Sequence, residues 1–459
     1  MRQEEGFFFF EKKKQKTCIP SIPAAGASAT KHQTDKSLFA SFSSEKEESS
    51  LGPIAIVAHT HPSLTKGGAE LAAYALYEGL RAAGTEAIFI AACPEENRNR
   101  VTFATDHEYV VLWDRRRTDE FYQLGAPQTA RALLDILARH HVRLVNFQHF
   151  TRLGVNVLNA VAAAKIPFVL TLHEFIAVCA NQGQMVTRPD RRLCAAAGAT
   201  QCVACFPEHT ETQFTLRKEL VLAALSKAAA FVSPSRFLAD RMIAWGLPGE
   251  KFAIIENGLR AFPAHPAPPR PHSSGEPYVF GFFGQITPYK GVDTILAALD
   301  LIAQRRELAG RIVIRIHGAL AGQTEEFARR FATAMATYRF AIHTGAYRNE
   351  DIFALMAECD YVLVPSTWWE NAPVVIQEAF AAGRPVICTG IGGMAEKVRH
   401  RLTGLHVRPG DPDHLVQTLT EAADPDLLRA LSAGLTQPPS RDEMAISYAT
   451  LFHRVAAAT

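Results

Sequence analysis

The chain of 459 residues contains no run of about eighteen uninterrupted apolar residues, so no membrane-spanning helix is expected. A surplus of one charge is also missing. The 48 Lys and Arg residues face 46 Asp and Glu, a net charge of +2, and overall charge therefore dictates neither nucleic acid nor a strongly anionic surface as partner. The apolar run Phe7–Phe10 is too short for the core of a secretory leader and lies behind Glu4 and Glu5. Residues 1–50 read as a disordered extension, and the protein as cytoplasmic. The Phe run and Lys12–Lys14 offer an alternative, peripheral contact with the inner membrane face. Cysteine is sparse outside one stretch, with four of the eight falling between Cys179 and Cys205.

What is present is apolar material for two domains, 48% of the chain. From Ile54 onward, short β-type runs alternate with helical patterns. Ile54–Ala58 is followed by a helix with Ala72, Leu76, Leu80 and Ala83 on one face, and then by Ala87–Ile90, which makes a βαβ unit. Continuous apolar runs separated by helices predict a parallel sheet covered on both faces. The proline-dense stretch from Phe262 to Gly275 has no periodicity and reads as a linker, after which the alternation restarts at Tyr278. The expected order is an N-terminal Rossmann-like domain over 51–262, a linker over 263–277 and a second Rossmann-like domain over 278–436. A C-terminal helix over 437–459 is placed back against the first domain. Two such α/β domains predict a ligand site at the carboxyl ends of their strands, in the cleft between them.

Glu370 and Glu378 stand eight positions apart around Asn371-Ala372-Pro373-Val374. Asn371 reads as a helix N-cap and Pro373 as an early helical position. The free amides at that end, with the helix dipole, form an anion site. Two acids on a capped surface helix are the plainer reading of this segment alone. Three further stretches each lie at a strand-to-helix junction: Lys66-Gly67-Gly68-Ala69-Glu70, Phe283-Gly284-Gln285-Ile286-Thr287-Pro288-Tyr289-Lys290-Gly291, and Gly390-Ile391-Gly392-Gly393-Met394-Ala395-Glu396. Gly67 and Gly68 leave the backbone open to a ligand, and Lys290 can set an ammonium against a diphosphate.

In this order the motifs resemble the retaining glycosyltransferases of family 4, with the GT-B fold of two doubly wound domains facing across a cleft; the match runs from about Pro53 to the C-terminus. The resemblance implies a hexose transferred from a nucleoside diphosphate sugar to a hydroxyl of a glycan, a lipid-linked carrier or a small molecule, with retention of configuration. It implies that Glu378 binds the donor ribose and that Glu370 lies beside the transferred sugar, near an anomeric carbon that becomes positive in the transition state. His173, after a buried strand, resembles the family's active-site histidine. Gly67, Gly68, Gln285, Lys290, Asn371, Ala372 and Val374 complete the expected donor site, and Gln148 and His149 are candidates for the acceptor pocket. Gln285 departs from the family pattern, which often has Arg there, so Lys290 and helix-end amides would carry more of the leaving group's charge. No cofactor is expected for catalysis beyond the nucleotide-sugar donor.

Cys179, Cys194, Cys202 and Cys205 lie in an insertion over 179–207. Four thiolates could hold a structural zinc ion, the sharper reading in a cytosolic chain, with reduced thiols in an acceptor-side loop as the alternative. Two competing functions stay open at this level: a nucleotide-sugar epimerase on the same fold, and a non-catalytic nucleotide-sugar binding protein.

Overall fold

The computed structural model describes residues 51–65, 67–188, 190–263, 265–273 and 275–458; the stretch 1–50 read above as an extension, with its Phe run, lies outside the described residues. Seven strands form the first sheet: β1 (Ile54–Ala58), β2 (Ala87–Pro94), β3 (Glu108–Trp113), β4 (Leu144–Phe147), β5 (Phe168–Thr171), β6 (Ala230–Ser233) and β7 (Phe252–Ile254). Their order is β3-β2-β1-β4-β5-β6-β7, and every pairing is parallel. The second sheet contains β8 (Tyr278–Phe283), β9 (Ile312–His317), β10 (Ala341–Gly345), β11 (Tyr361–Val364), β12 (Val386–Thr389) and β13 (Gly404–Val407). It is likewise all parallel, in the order β10-β9-β8-β11-β12-β13.

All five residues of β1 and all six of β8 are buried, as central strands covered by helices on both faces must be. Each sheet divides its apolar side chains into two clusters, one per face. Val57, Phe147, Leu170 and Phe231 belong to one face of the first sheet, and Ile56, Phe89 and Val169 to the other. Phe280, Ile314 and Leu363 lie on one face of the second sheet, and Val279, Val362 and Cys388 on the other. The architecture is therefore two doubly wound α/β domains.

The last helix, Arg441–Ala457, places Met444, Tyr448, Leu451 and Phe452 in the core of the first domain, beside Ile56 and Leu76. A reciprocal cap fixes its start: the Ser440 hydroxyl accepts from the Glu443 N–H at 3.1 Å while the Glu443 carboxylate accepts from the Ser440 N–H at 2.7 Å. Gly79 of the Gly68–Ala82 helix permits the close crossing, since a Cβ there would lie 2.8 Å from the Ala445 methyl.

The proline-rich stretch is docked on the second domain. The buried Arg384 guanidinium donates to the carbonyls of Ala267 and Pro268, at 3.1 and 2.8 Å. Arg270 and His272 both reach the buried Asp360 carboxylate, which also accepts from the Val279 N–H at the start of β8. Among the described residues, no helix is long and apolar enough to cross a membrane.

Candidate functional site

In an open parallel sheet, the crevice forms where the chain turns in opposite directions from two adjacent strands, at their carboxyl ends. In the first sheet those strands are β1 and β4, followed by His59 and by Gln148-His149. In the second they are β8 and β11, followed by the loops carrying Lys290 and Glu370. One cavity of about 480 Å³ draws on both sets, and on the loop after β5. Its walls include Gly68, His149, His173, Lys290, Glu370, Asn371, Ala372 and Val374.

Local backbone chemistry sets Lys290 against Glu370. The Thr287 hydroxyl accepts from the Lys290 N–H at 3.3 Å and closes a single helical turn. Gly291 then adopts φ 80°, and a Cβ there would sit 1.9 Å from the Pro365 carbonyl oxygen, so only glycine lets the two loops touch. The Lys290 ammonium reaches Glu370 Oε1 at 2.6 Å, and the same oxygen accepts from Ser366 Oγ at 2.9 Å and Trp368 Nε1 at 2.7 Å. Glu370 Oε2 has no partner among the described residues. Burial pushes the Glu370 carboxyl up, but the Lys290 charge and the three hydrogen bonds outweigh it and hold the acid below its usual range.

The opposite wall presents a neutral imidazole. Burial, with His149 and His59 nearby, pushes His173 down to about 3. The Gln148 amide N–H donates to Thr171 Oγ1 at 3.2 Å, which turns its carbonyl toward His173 Nε2 at 2.9 Å. The ring therefore donates from Nε2 and keeps Nδ1 as an acceptor. Gln148 stands behind His173 and does not line the cavity. His149 does, with Nε2 2.7 Å from Glu174 Oε1 and its ring 4.5 Å from that of His59.

The two halves meet through specific contacts around this cavity. Asn371 Nδ2 donates to the His173 carbonyl at 3.1 Å, and Trp369 Nε1 to the Cys194 carbonyl at 3.0 Å. Glu396 accepts from the first two N–H groups of the Arg236–Trp245 helix, at 2.8 and 2.7 Å. Its charge complements the positive end of that helix.

Several expected positions differ. The helix begins at Val374 with Pro373 as its cap, so Asn371 does not cap it: its amide is committed to His173 across the cleft. Gln285 is exposed and lies outside the cavity wall. Gly67 caps the Gly68–Ala82 helix without lining the cavity, and a Cβ there would meet Glu70 Oε2 at 2.4 Å. Glu378 lies one helical turn beyond Val374 on the same face, with burial pushing its carboxyl up to about 7.

The zinc reading gains no support, because no group of three or more His, Cys, Asp or Glu side chains among the described residues is arranged to hold a metal. Cys179, Cys194, Cys202 and Cys205 are free thiols. Burial raises the first three, and Cys194 donates to the Ala196 carbonyl at 3.2 Å.

Sequence reasoning missed Ser366 and Trp368, which hold Glu370, and Glu174, which holds His149. Their only signal was adjacency to the named residues. It also passed over Glu70, inside the first glycine motif, whose carboxylate lies 3.3 Å from His59 Nε2.

A model described as Glycosyltransferase Family 4 matches residues 66–261, and one described as Glycosyl transferases group 1 matches residues 277–424. The D-inositol 3-phosphate glycosyltransferase of Thermobispora bispora is 29% identical over 227 residues, 44% of this chain and 53% of that protein. An uncharacterized glycosyltransferase of Methanocaldococcus jannaschii is 27% identical over 134 residues, 29% of this chain and 33% of its own. The matched stretches thus span about a third to a half of these curated relatives. Among solved structures, the sucrose-phosphate synthase of Thermosynechococcus elongatus superposes with a TM-score of 0.65 at 18% identity, covering 89% of this chain and 100% of that one. HepE from Anabaena in complex with UDP-glucose gives 0.60 at 16%, covering 88% and 99%. These likenesses concern the fold.

Proposed function

Because the chain belongs to glycosyltransferase family 4, we propose that it transfers a hexose from a nucleoside diphosphate sugar to an acceptor hydroxyl with retention of configuration. The observation that carries this reading is the ionised Glu370, clamped on one oxygen and open on the other, facing a neutral His173 across a cavity of about 480 Å³. That volume lies in the range of small-molecule sites. The HepE structure is a complex with UDP-glucose, which favours a UDP-sugar as the first donor to test.

In this reading, the helix-end amides at Ala372–Val374 and the Lys290 ammonium receive the diphosphate, and Glu378 takes the ribose hydroxyls. The His173 Nδ1 lone pair accepts from a hydroxyl of the sugar, and Glu370 Oε2 faces the anomeric centre. As the anomeric carbon–oxygen bond breaks, the electron pair leaves with the diphosphate and Lys290 meets its growing charge. The acceptor oxygen bonds to the same face of the sugar, and its proton passes to the departing phosphate oxygen. No protein nucleophile is consumed in this sequence.

The test combines a thermal-shift screen of nucleotide sugars with transfer assays on Glu370→Gln. The expected result is a stabilising donor whose binding survives the substitution, while transfer falls roughly 10²–10³-fold, the usual effect of removing one electrostatic stabiliser. Undiminished transfer would sink the role given to Glu370.

A further inference from the structure

A second cavity, of about 520 Å³, opens from the first and lies within the N-terminal domain. His59, His149, Glu174 and Gln182 line both, so a molecule in one reaches the other past these four side chains. The wall of the second cavity also carries Arg100, Trp113, Thr151 and Arg152.

The polar groups there are unevenly satisfied. Glu120 is paired with Arg115 at 3.2 Å, Glu174 with His149 at 2.7 Å, and Asp119 accepts from the Tyr122 N–H at 2.9 Å. Glu70, near enough for Arg152 to feel its charge, is engaged by His59 and by Thr65 Oγ1 at 3.0 Å. The acids are therefore occupied, while several donors are only partly used. Arg152 is half-buried, gives one N–H to the His59 carbonyl at 3.3 Å, and lies 5.6 Å over the Trp113 ring. Among the described residues it has no carboxylate within ion-pair distance. Arg100 donates only to Asn97 Oδ1 there, at 3.0 Å. Trp113 Nε1 and Thr151 Oγ1 are buried atoms with no hydrogen-bond partner among the described residues. A half-buried guanidinium with no carboxylate in contact is an arrangement that a bound carboxylate or phosphate would complete.

Backbone geometry points to the same place. Arg152 adopts φ 72°, and Gln123 and Gln182, both lining this cavity, adopt 55° and 50°. The left-handed region is unfavourable for residues with side chains, and such residues gather at ligand sites. The backbone at Arg152 thus holds a cation with no carboxylate in contact at the wall of this cavity.

We propose that this second cavity is the acceptor subsite and that it selects an acceptor bearing an anionic group, phosphate or carboxylate, docked on Arg152. The word acceptor rests on the donor reading of the first cavity; the anion site does not. The probes are glucose 6-phosphate, glucuronate and neutral glucose, titrated calorimetrically into the full chain with and without saturating UDP. At least one charged sugar should bind ten-fold or more tightly than glucose, and which one does separates phosphate from carboxylate. Arg152→Gln should erase that preference and Arg152→Lys keep part of it, while the thermal shift given by UDP stays unchanged in both and reports intact folding. Equal or absent binding of charged and neutral sugars by the wild-type chain, or a preference that survives Arg152→Gln, would overturn the proposal. Loss of the UDP shift in the wild-type chain would instead remove the donor reading, and the charge preference would still be readable without UDP.

Discussion

Replacing Glu378 with Gln should stabilise the free protein and weaken the nucleotide complex, and the two effects should separate with pH. Glu378 is half-buried and its carboxyl has no hydrogen-bond partner among the described residues; the loss of solvent around it pushes it from the usual 4.5 to about 7. Between those values the folded chain holds a proton that the unfolded chain has released, so folded-state stability falls as pH rises from 4.5 to 7 and is level above that. The two values bracket about 2.5 pH units, and each unit corresponds to about 1.4 kcal/mol, so ionising Glu378 costs about 3 kcal/mol at pH 8. Glutamine keeps the shape and removes the charge. Glu378→Gln should therefore exceed wild type by about 2–3 kcal/mol at pH 8 and by under about 1 kcal/mol at pH 5. Urea midpoints across that range measure the difference.

Nucleotide affinity should move the other way. Ribose hydroxyls bonding to an ionised carboxylate are worth about 1.5–3 kcal/mol. UDP should bind the wild type more tightly than the variant above pH 7, by roughly ten-fold or more. The ratio of the two affinities should shrink toward lower pH as the wild-type acid takes up its proton; using the ratio cancels the titration of UDP itself. Coincident urea midpoints at pH 8, or an affinity ratio that does not change with pH, would refute the reasoning.

Gly68→Val tests the donor cavity without disturbing the core, since a Cβ at Gly68 meets no protein atom within 4 Å; the melting temperature should hold while the shift given by UDP-glucose is lost. Lys290→Met should leave the Glu370 carboxylate in a buried place without its cation. The wild-type acid lies below its usual range, so its stabilising share is present at neutral pH and lost as pH falls through the folded value. The variant should thus be about 2 kcal/mol less stable at pH 7, with the gap closing in urea titrations only as pH falls below 4.5 and through the folded value; the loss is less than a fully enclosed pair would show because Lys290 is partly open to solvent.

Much of the fold was legible because it depends on periodicities that one segment carries alone. Runs such as Ile54–Ala58 and Tyr278–Phe283 are continuously apolar because both faces of a central parallel strand are covered, and their separation by helical patterns allows little besides a doubly wound sheet. The candidate site was legible where it follows from that topology: Lys290, Glu370, His149 and His173 all stand just past carboxyl ends of strands, and all reach one cavity. What local patterns did not carry were choices settled by distant partners. Asn371 looks like a cap because its side chain suits one, yet the His173 carbonyl takes its amide. The proline-rich stretch looks like a free tether because nothing nearby in the chain shows Arg384 reaching back to Ala267 and Pro268. The four cysteines suggested a metal because composition counts thiols, whereas ligation needs three or more donors arranged around one point, and no such group occurs among the described residues.

The two glutamates carry that distinction furthest. Both acids lie near the same helix start and both lose solvent, Glu370 buried and Glu378 half-buried, yet desolvation wins at Glu378 and loses at Glu370, because one has no partner while the other has an ammonium and two further donors on a single oxygen. Their chemistry is set by Lys290, Ser366 and Trp368, none of which the eight-residue spacing specifies. The same ion pair also constrains the proposed mechanism. If the diphosphate takes the Lys290 ammonium, Ser366 and Trp368 remain as donors to Glu370, and the positive charge that Lys290 supplied must be replaced. A developing oxocarbenium ion beside Oε2 would supply it only in the transition state, so weakening of the Lys290 pair by the donor raises the ground state of Glu370 relative to the transition state. In the proposed mechanism, binding energy from the diphosphate would thereby be converted into a lower barrier at the anomeric carbon.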